Sequence, residues 1–142
     1  MESAVSRTLA WFRTHLIVPL IGTPEVLPDT LVSRWPELAS VRWRRGGFPL
    51  RVGGWCLGQR TVQGITLWQT VFLAPGIVWD PTLLLHEHRH AEQFASSAVF
   101  PFLYVWESLT RGYSRNRFEA DANAWAARRF QRPQPTNLSP GA

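Results

Sequence analysis

Three of the chain's four histidines lie within five residues, and two of them have the spacing of a metal site. The segment from His86 to His90 reads H-E-x-x-H. Because helical side chains four residues apart share one face, these two imidazoles would converge on one point. Imidazole nitrogen is a preferred ligand of Zn²⁺. Glu87 would lie at the edge of the same face, where its carboxylate could take a proton from water acidified by the metal. The pattern therefore predicts a zinc site with Glu87 as a catalytic base.

The motif requires a helix, and the residues around it predict one. Asp80 and Pro81 are typical of a helix start, with an acid at the N-cap and proline at the first helical position. Residues 82–99 contain neither proline nor glycine. Burying imidazoles without partners in such an apolar helix would cost free energy, which favours metal binding over solvated histidines. His88 falls on the apolar stripe, so we expect it to be a core or hydrogen-bonded histidine.

A catalytic zinc site also needs a third protein ligand and an open fourth position. A helix expected near 117–130 offers Glu119 and Asp121, which would point to roughly opposite sides because they are two residues apart. Glu119 shares its face with small residues such as Asn123, which would let two helices approach closely, so we select Glu119. One alternative stays open: with Asn116, Glu119 also fits a capping box, in which it would only satisfy a helix start.

Composition sets broad limits on the fold and its partners. The 142 residues suggest one domain, residues 1–130, followed by a proline-rich flexible tail, residues 131–142. All fifteen basic residues are arginine and the net charge is +5, but no nucleic-acid-binding motif accompanies them, so we expect no nucleic-acid partner. We expect no membrane span, because the apolar runs are short. Cys56 alone cannot form an intrachain disulfide, which favours a cytoplasmic location. The oligomeric state stays open.

The order of elements predicts an α+β fold. Helices are expected at residues 3–17 and 28–39. Residues 41–74 have a β texture broken by glycine pairs, which indicates an antiparallel meander. After the motif helix comes an apolar helix near 101–110, which we assign to the core rather than to an interfacial patch. The expected architecture is a small antiparallel sheet packed on the metal-bearing helices.

Three segments, in order, resemble a known family. They are Leu84 to Gln93, Arg111 to Tyr113, and Asn116 to Ala122. They are similar to the H-E-x-x-H-x-x-Q, G-Y-x-x-N-P-F-E and E-x-x-A segments of the small gluzincin-type zinc metallopeptidases, and the resemblance covers about residues 60–127. It implies a minimal zincin-like fold with Zn²⁺ bound by His86, His90 and Glu119, and with Glu87 as the catalytic carboxylate. Arg117 stands where that family commonly has proline.

The predicted activity is zinc-dependent hydrolysis of a peptide or protein substrate. Glu87 would move the water proton to the leaving amine, and Tyr113 or His88 would help to stabilise the oxyanion. The run at residues 65–73 could be an edge strand that pairs with an extended peptide. Two other classes stay open, namely a non-catalytic zinc module with a closed fourth position and a regulatory domain that binds a partner through its tryptophans.

Overall fold

The computed structural model describes residues 4–56 and 62–132, and its architecture is α+β, as predicted. The strands are β1 (Thr23–Glu25), β2 (Arg42–Arg45), β3 (Gly64–Leu67) and β4 (Thr70–Leu73). The α-helices are α1 (Ala4–Phe12), α2 (Val18–Ile21), α3 (Asp29–Arg34), α4 (Phe48–Cys56), α5 (Pro81–Ser96), α6 (Phe100–Arg111) and α7 (Arg117–Gln131). A π-helical segment, Arg13–Ile17, joins α1 to α2, and 3-10 helices cover Pro36–Ser40 and Tyr113–Arg115.

The helices near the N-terminus differ from the prediction in their ends. Helical structure continues past residue 17 to Ile21, and Gly22 ends it with a φ of 66°. The helix expected at 28–39 is broken at Trp35, which has φ −133° and ψ 79° because the residue before a proline disfavours helical geometry. At the other end, Gln131 belongs to α7 rather than to the expected tail, and residues 133–142 lie outside the described part.

The four strands form one mixed sheet in the order β1-β2-β4-β3. The outer pairs are antiparallel, whereas β2 and β4 are parallel, with Trp43 opposite Val71. The predicted antiparallel meander is therefore wrong. The reason is α4, which occupies part of the segment with β texture and provides the crossover that a parallel pair needs. The absence of a side chain at Gly53 lets α4 pack closely on β3, because a Cβ at Gly53 would lie 2.4 Å from Ile65 Cδ1.

The hydrophobic core joins the sheet to α5 and α7. Its buried members come from the sheet, the first 3-10 helix, the segments that connect these elements, and the two helices: Leu27, Trp35, Leu38, Val41, Trp43, Val71, Leu73, Leu84, Leu85, Ala91 and Ala126. The two helices pack along each other with alanines at the contact, Ala91 on α5 and Ala122 and Ala126 on α7. Small side chains let the helix axes approach, so residues on α5 and α7 can share one site.

Helix α6 does not belong to the core, and the prediction that it does was wrong. Phe100 and Glu107 are its buried residues, whereas Phe102 and Leu109 are about three-quarters exposed. The helix covers the edge of α5 with one side only, which apolar content alone could not reveal. Within residues 4–56 and 62–132, no helix has both the length and the apolar content needed to cross a membrane.

Candidate metal centre

Helix α5 begins as its sequence predicts. Asp80 is the N-cap, and its Oδ1 accepts a hydrogen bond from the backbone N–H of Thr82 at 2.9 Å, with Pro81 at the first helical position. The helix then runs without interruption to Ser96, so His86 and His90 lie one turn apart on the side that faces α6 and α7. A local start signal thus fixes the register in which the motif presents its side chains.

His86, His90 and Glu119 bring their side-chain ends together at one point. The Nε2 atoms of the two histidines are 3.0 Å apart. Glu119 Oε1 lies 3.0 Å from His90 Nε2, and Glu119 Oε2 lies 3.4 Å from His86 Nε2. Zinc bound at about 2.0–2.1 Å in a tetrahedron would separate neighbouring donor atoms by roughly 3.3 Å. The three donors therefore fit a tetrahedral zinc ion in both type and spacing.

Gln93 determines which nitrogen of His90 can accept a metal. Its side-chain amide donates to Phe118 O at 3.1 Å and to Asp121 Oδ2 at 3.0 Å, which orients the amide oxygen toward His90. That oxygen is 2.8 Å from His90 Nδ1 and can only accept, so Nδ1 carries the proton. In the neutral ring Nε2 then has a free lone pair directed at the cluster, the arrangement found in metal-binding histidines.

The electrostatics of the cluster favour a bound positive charge. Burial opposes the charged form of His90, but the carboxylates of Glu119 and Glu87 outweigh it and raise the pKa of His90. Burial would likewise raise the pKa of Glu119, but contacts with His86 and His90 outweigh it and hold that pKa well below its usual range. An ionised carboxylate and two inward-facing imidazoles attract positive charge, which a proton or a metal ion can supply.

Two tyrosines hold the carboxylate of Glu119. Tyr104 Oη donates to Oε1 at 2.6 Å, and Tyr113 Oη donates to Oε2 at 2.8 Å. Burial, together with the negative charge of Glu119, raises the pKa of both tyrosines, so both hydroxyls keep their protons. Asn116 does cap α7, through its Oδ1 and the N–H of Phe118, but its own backbone N–H donates to Tyr113 O. The carboxylate of Glu119 thus faces the histidines instead of closing a capping box.

Glu87 lies beside the cluster in a tight, buried position. Only 4% of its surface is exposed, and Thr66 Oγ1 on β3 lies 2.7 Å from its Oε2 and 3.0 Å from its backbone oxygen. Gly64, on the same strand, leaves room for the carboxylate, because a Cβ there would be 2.7 Å from Glu87 Oε1. Strand β3 therefore positions the carboxylate that the motif supplies.

Two neighbouring residues have surroundings that refine the sequence interpretation. His88 stacks on Trp125, and its Nε2 is 3.3 Å from Ser40 Oγ; burial lowers its pKa, so it is a neutral histidine of the interior, as expected. These contacts lie away from the cluster and do not favour the oxyanion role considered for His88. Asp121, on the other side of α7 from the cluster in the sequence interpretation, contacts α5 as well: its Oδ2 accepts from Gln93 Nε2 at 3.0 Å and from Arg89 Nε at 2.7 Å.

Sequence reasoning did not identify three residues that shape the site: Gly64, Thr66 and Tyr104. Tyr104 lies four residues after the buried Phe100, so it shares the inward side of α6, but nothing in the sequence indicates that this side meets Glu119. Gly64 carries the one usable signal, since glycine inside a strand indicates a close approach of other atoms.

The cluster lies open to a surface cleft. Two cavities meet there, and both are lined by His86, Glu87 and Tyr113. A molecule in the cleft could therefore reach the centre between the ligands and the Glu87 carboxylate. No protein-family model, curated protein or solved structure matches this chain.

Proposed function

We propose that this protein is a zinc-dependent metallopeptidase of gluzincin type, with a minimal zincin-like fold and a peptide or protein substrate. The observation that carries the proposal is the placement of Glu87: a buried carboxylate lies beside three donor atoms of zinc-like spacing, and both face one cleft. We infer a cytoplasmic location from the single cysteine, Cys56, which cannot form an intrachain disulfide.

His86, His90 and Glu119 would hold the ion, and their fit rests on their donor types and their spacing. Zinc bound there would supply Lewis acidity, which polarises a carbonyl group and acidifies water. Glu87 takes a proton from the attacking water and delivers it to the amine that leaves. Thr66 anchors one oxygen of Glu87 and leaves the other free for this proton transfer.

Tyr113 is suited to assist the substrate carbonyl. Its hydroxyl donates to Glu119, and its side chain lines both cavities of the cleft, whereas Tyr104 lines only one of them. A hydroxyl has one proton to donate, so Tyr113 would exchange its hydrogen bond to Glu119 for one to the oxygen on which negative charge develops in the transition state. Tyr104 would instead keep Glu119 in place as a ligand.

Strand β3 offers a way to bind the substrate backbone. It is one of the two edge strands of the sheet, and within the described residues it has a strand partner, β4, on one side only. Its residues Gly64 and Thr66 touch Glu87, so an extended peptide paired with β3 would lie next to the catalytic carboxylate. Binding through backbone hydrogen bonds tolerates many sequences.

The test compares wild type with Glu87→Gln in two measurements, zinc per chain and cleavage of an unstructured protein such as casein. We expect one zinc per chain in both forms, and turnover in wild type alone, because glutamine cannot accept the water proton. Zinc in both forms with turnover in neither would instead indicate a non-catalytic zinc module. Absence of stoichiometric zinc from the wild type would refute the proposal.

A further inference from the structure

The cleft beside Glu87 consists of two halves with different chemistry. Both halves include Gly64, His86, Glu87 and Tyr113, so they meet at the site itself. One extends between β3, α4 and α6, and the other extends toward the start of α5 and the middle of α7. A peptide bound across the site would therefore place the residues on the two sides of the scissile bond in different surroundings.

The first half is an apolar cavity of about 300 Å³. Its walls are hydrophobic side chains from four elements, among them Val52, Ile65, Leu67, Phe94, Phe100 and Val105. Among the described residues of its lining, the ionisable groups belong to the metal centre: the two histidines, Glu87, Glu119 and the tyrosines that bind it. This volume exceeds that of a single leucine or phenylalanine side chain, and such walls offer no partner to a charged one.

The second half is a polar cavity of about 480 Å³. Hydrogen-bonding side chains line it: Gln63, Asp80, Thr82 and Asn123. Beyond the shared site, the charged group that the described part of the chain adds to this cavity is the carboxylate of Asp80. Polar or basic substrate residues can keep hydrogen-bond partners here, so their burial costs little.

We propose that the cleft selects substrates by this asymmetry: a bulky apolar side chain occupies the half under α6 on one side of the scissile bond, and polar or basic residues lie on the other side. The proposal rests on the proposed peptidase function. Replacing leucine by alanine at the apolar position removes three buried carbons. At about 0.8 kcal/mol per buried methylene, kcat/KM should fall about 50-fold.

The first arm of the test is cleavage of a peptide library by zinc-loaded protein, with the cut sites located by mass spectrometry. We expect leucine, phenylalanine or methionine on one side of each cut and polar or basic residues on the other. Val105→Glu places a carboxylate on the apolar wall at a half-exposed position, so the fold tolerates it. It should reduce the apolar preference and introduce cleavage beside arginine or lysine.

Phe102→Glu is the matched control for Val105→Glu. Phe102 lies on the same helix, is 77% exposed and is not part of the cavity wall, so its substitution should leave specificity unchanged. Cuts without a side-chain preference, or the same change of specificity in both variants, would overturn the proposal.

The second arm needs no turnover and separates this proposal from the peptidase proposal. Acetohydroxamate and isovalerohydroxamate differ by the same three carbons, and calorimetry can measure their binding to zinc-loaded Glu87→Gln. We expect isovalerohydroxamate to bind about 50-fold more tightly and Val105→Glu to remove most of this difference. Tighter binding of isovalerohydroxamate, together with no cleavage of any peptide, would support the apolar subsite and refute the proposed peptidase activity. Equal binding of the two compounds would refute the subsite, and failure of both to bind would refute both proposals.

Discussion

Gly64→Ala is expected to impair catalysis by displacing Glu87 while leaving the metal ligands in place. A Cβ at position 64 would lie 2.7 Å from Glu87 Oε1 and 3.0 Å from its Cδ. Ordinary van der Waals contact begins at 3.4 Å, so the carboxylate oxygen must move by about 0.7 Å (3.4 minus 2.7). The cavity offers room for this movement, but Thr66 holds the other oxygen, so the carboxylate tilts away from its working position.

The size of the effect follows from this displacement. Misplacing a catalytic group by 1 Å costs on the order of 100-fold in rate, so a shift of about 0.7 Å should lower kcat by about 10- to 100-fold. Zinc content should stay at one per chain, because none of the three proposed ligands contacts Gly64 in this way. KM should change little, since the substitution adds one methyl group on the strand and removes no backbone hydrogen bond.

The assay is steady-state cleavage of a fluorogenic peptide, with zinc per chain measured on the same samples. Gly76→Ala is the control, because it strains a residue at φ 80° with nothing within 4 Å of the added Cβ. It should cost stability without changing kcat. Full activity of Gly64→Ala, or equal losses of kcat in the two variants, would refute the position assigned to Glu87.

Three further predictions concern the residues that support the ligands. Gln93→Leu removes the acceptor for His90 Nδ1–H and should weaken zinc binding about 10- to 100-fold in a chelator competition; unchanged affinity would contradict its role in fixing the tautomer. Glu119→Gln should lose zinc, whereas Asp121→Asn should keep it, because asparagine retains an oxygen for Gln93; equal loss would contradict the choice of Glu119 as third ligand. The ion pair with Arg89 lowers the pKa of Asp121. The ionised carboxylate therefore stabilises the folded state at pH values above its ordinary pKa, and this contribution is lost as the pH falls through the lowered pKa. Urea unfolding of metal-free protein between pH 5 and pH 2 should therefore show a smaller loss of stability for Asp121→Asn than for wild type, and identical pH profiles would contradict the ion pair.

The parts of the site that sequence could predict depend on local signals. Asp80 and Pro81 define the start of α5, and helical spacing alone then places His86 four residues from His90 on the same side. The same periodicity separates Glu119 from Asp121 on α7. These inferences need only the geometry of a single helix, which a short stretch of sequence determines.

The parts that sequence could not predict depend on contacts between distant segments. The parallel pairing of β2 with β4 follows from the path of α4. The glycines of α4 are typical of turns, but Gly53 instead allows this helix to pack on Ile65, a contact between segments that the sequence does not indicate. The apolar sequence of α6 suggested the core, but the helix lies at the surface and contributes Tyr104 to Glu119 from its inner side. Neither composition nor periodicity encodes which face of a helix meets which partner.

A crystal structure of the zinc-loaded protein, with anomalous diffraction at the zinc edge, would test directly whether His86, His90 and Glu119 bind zinc. We expect one peak about 2.0–2.2 Å from His86 Nε2, His90 Nε2 and a carboxylate oxygen of Glu119, with the fourth position facing the cleft. A peak elsewhere, no peak at stoichiometric zinc, or a fourth protein ligand closing the site would contradict it.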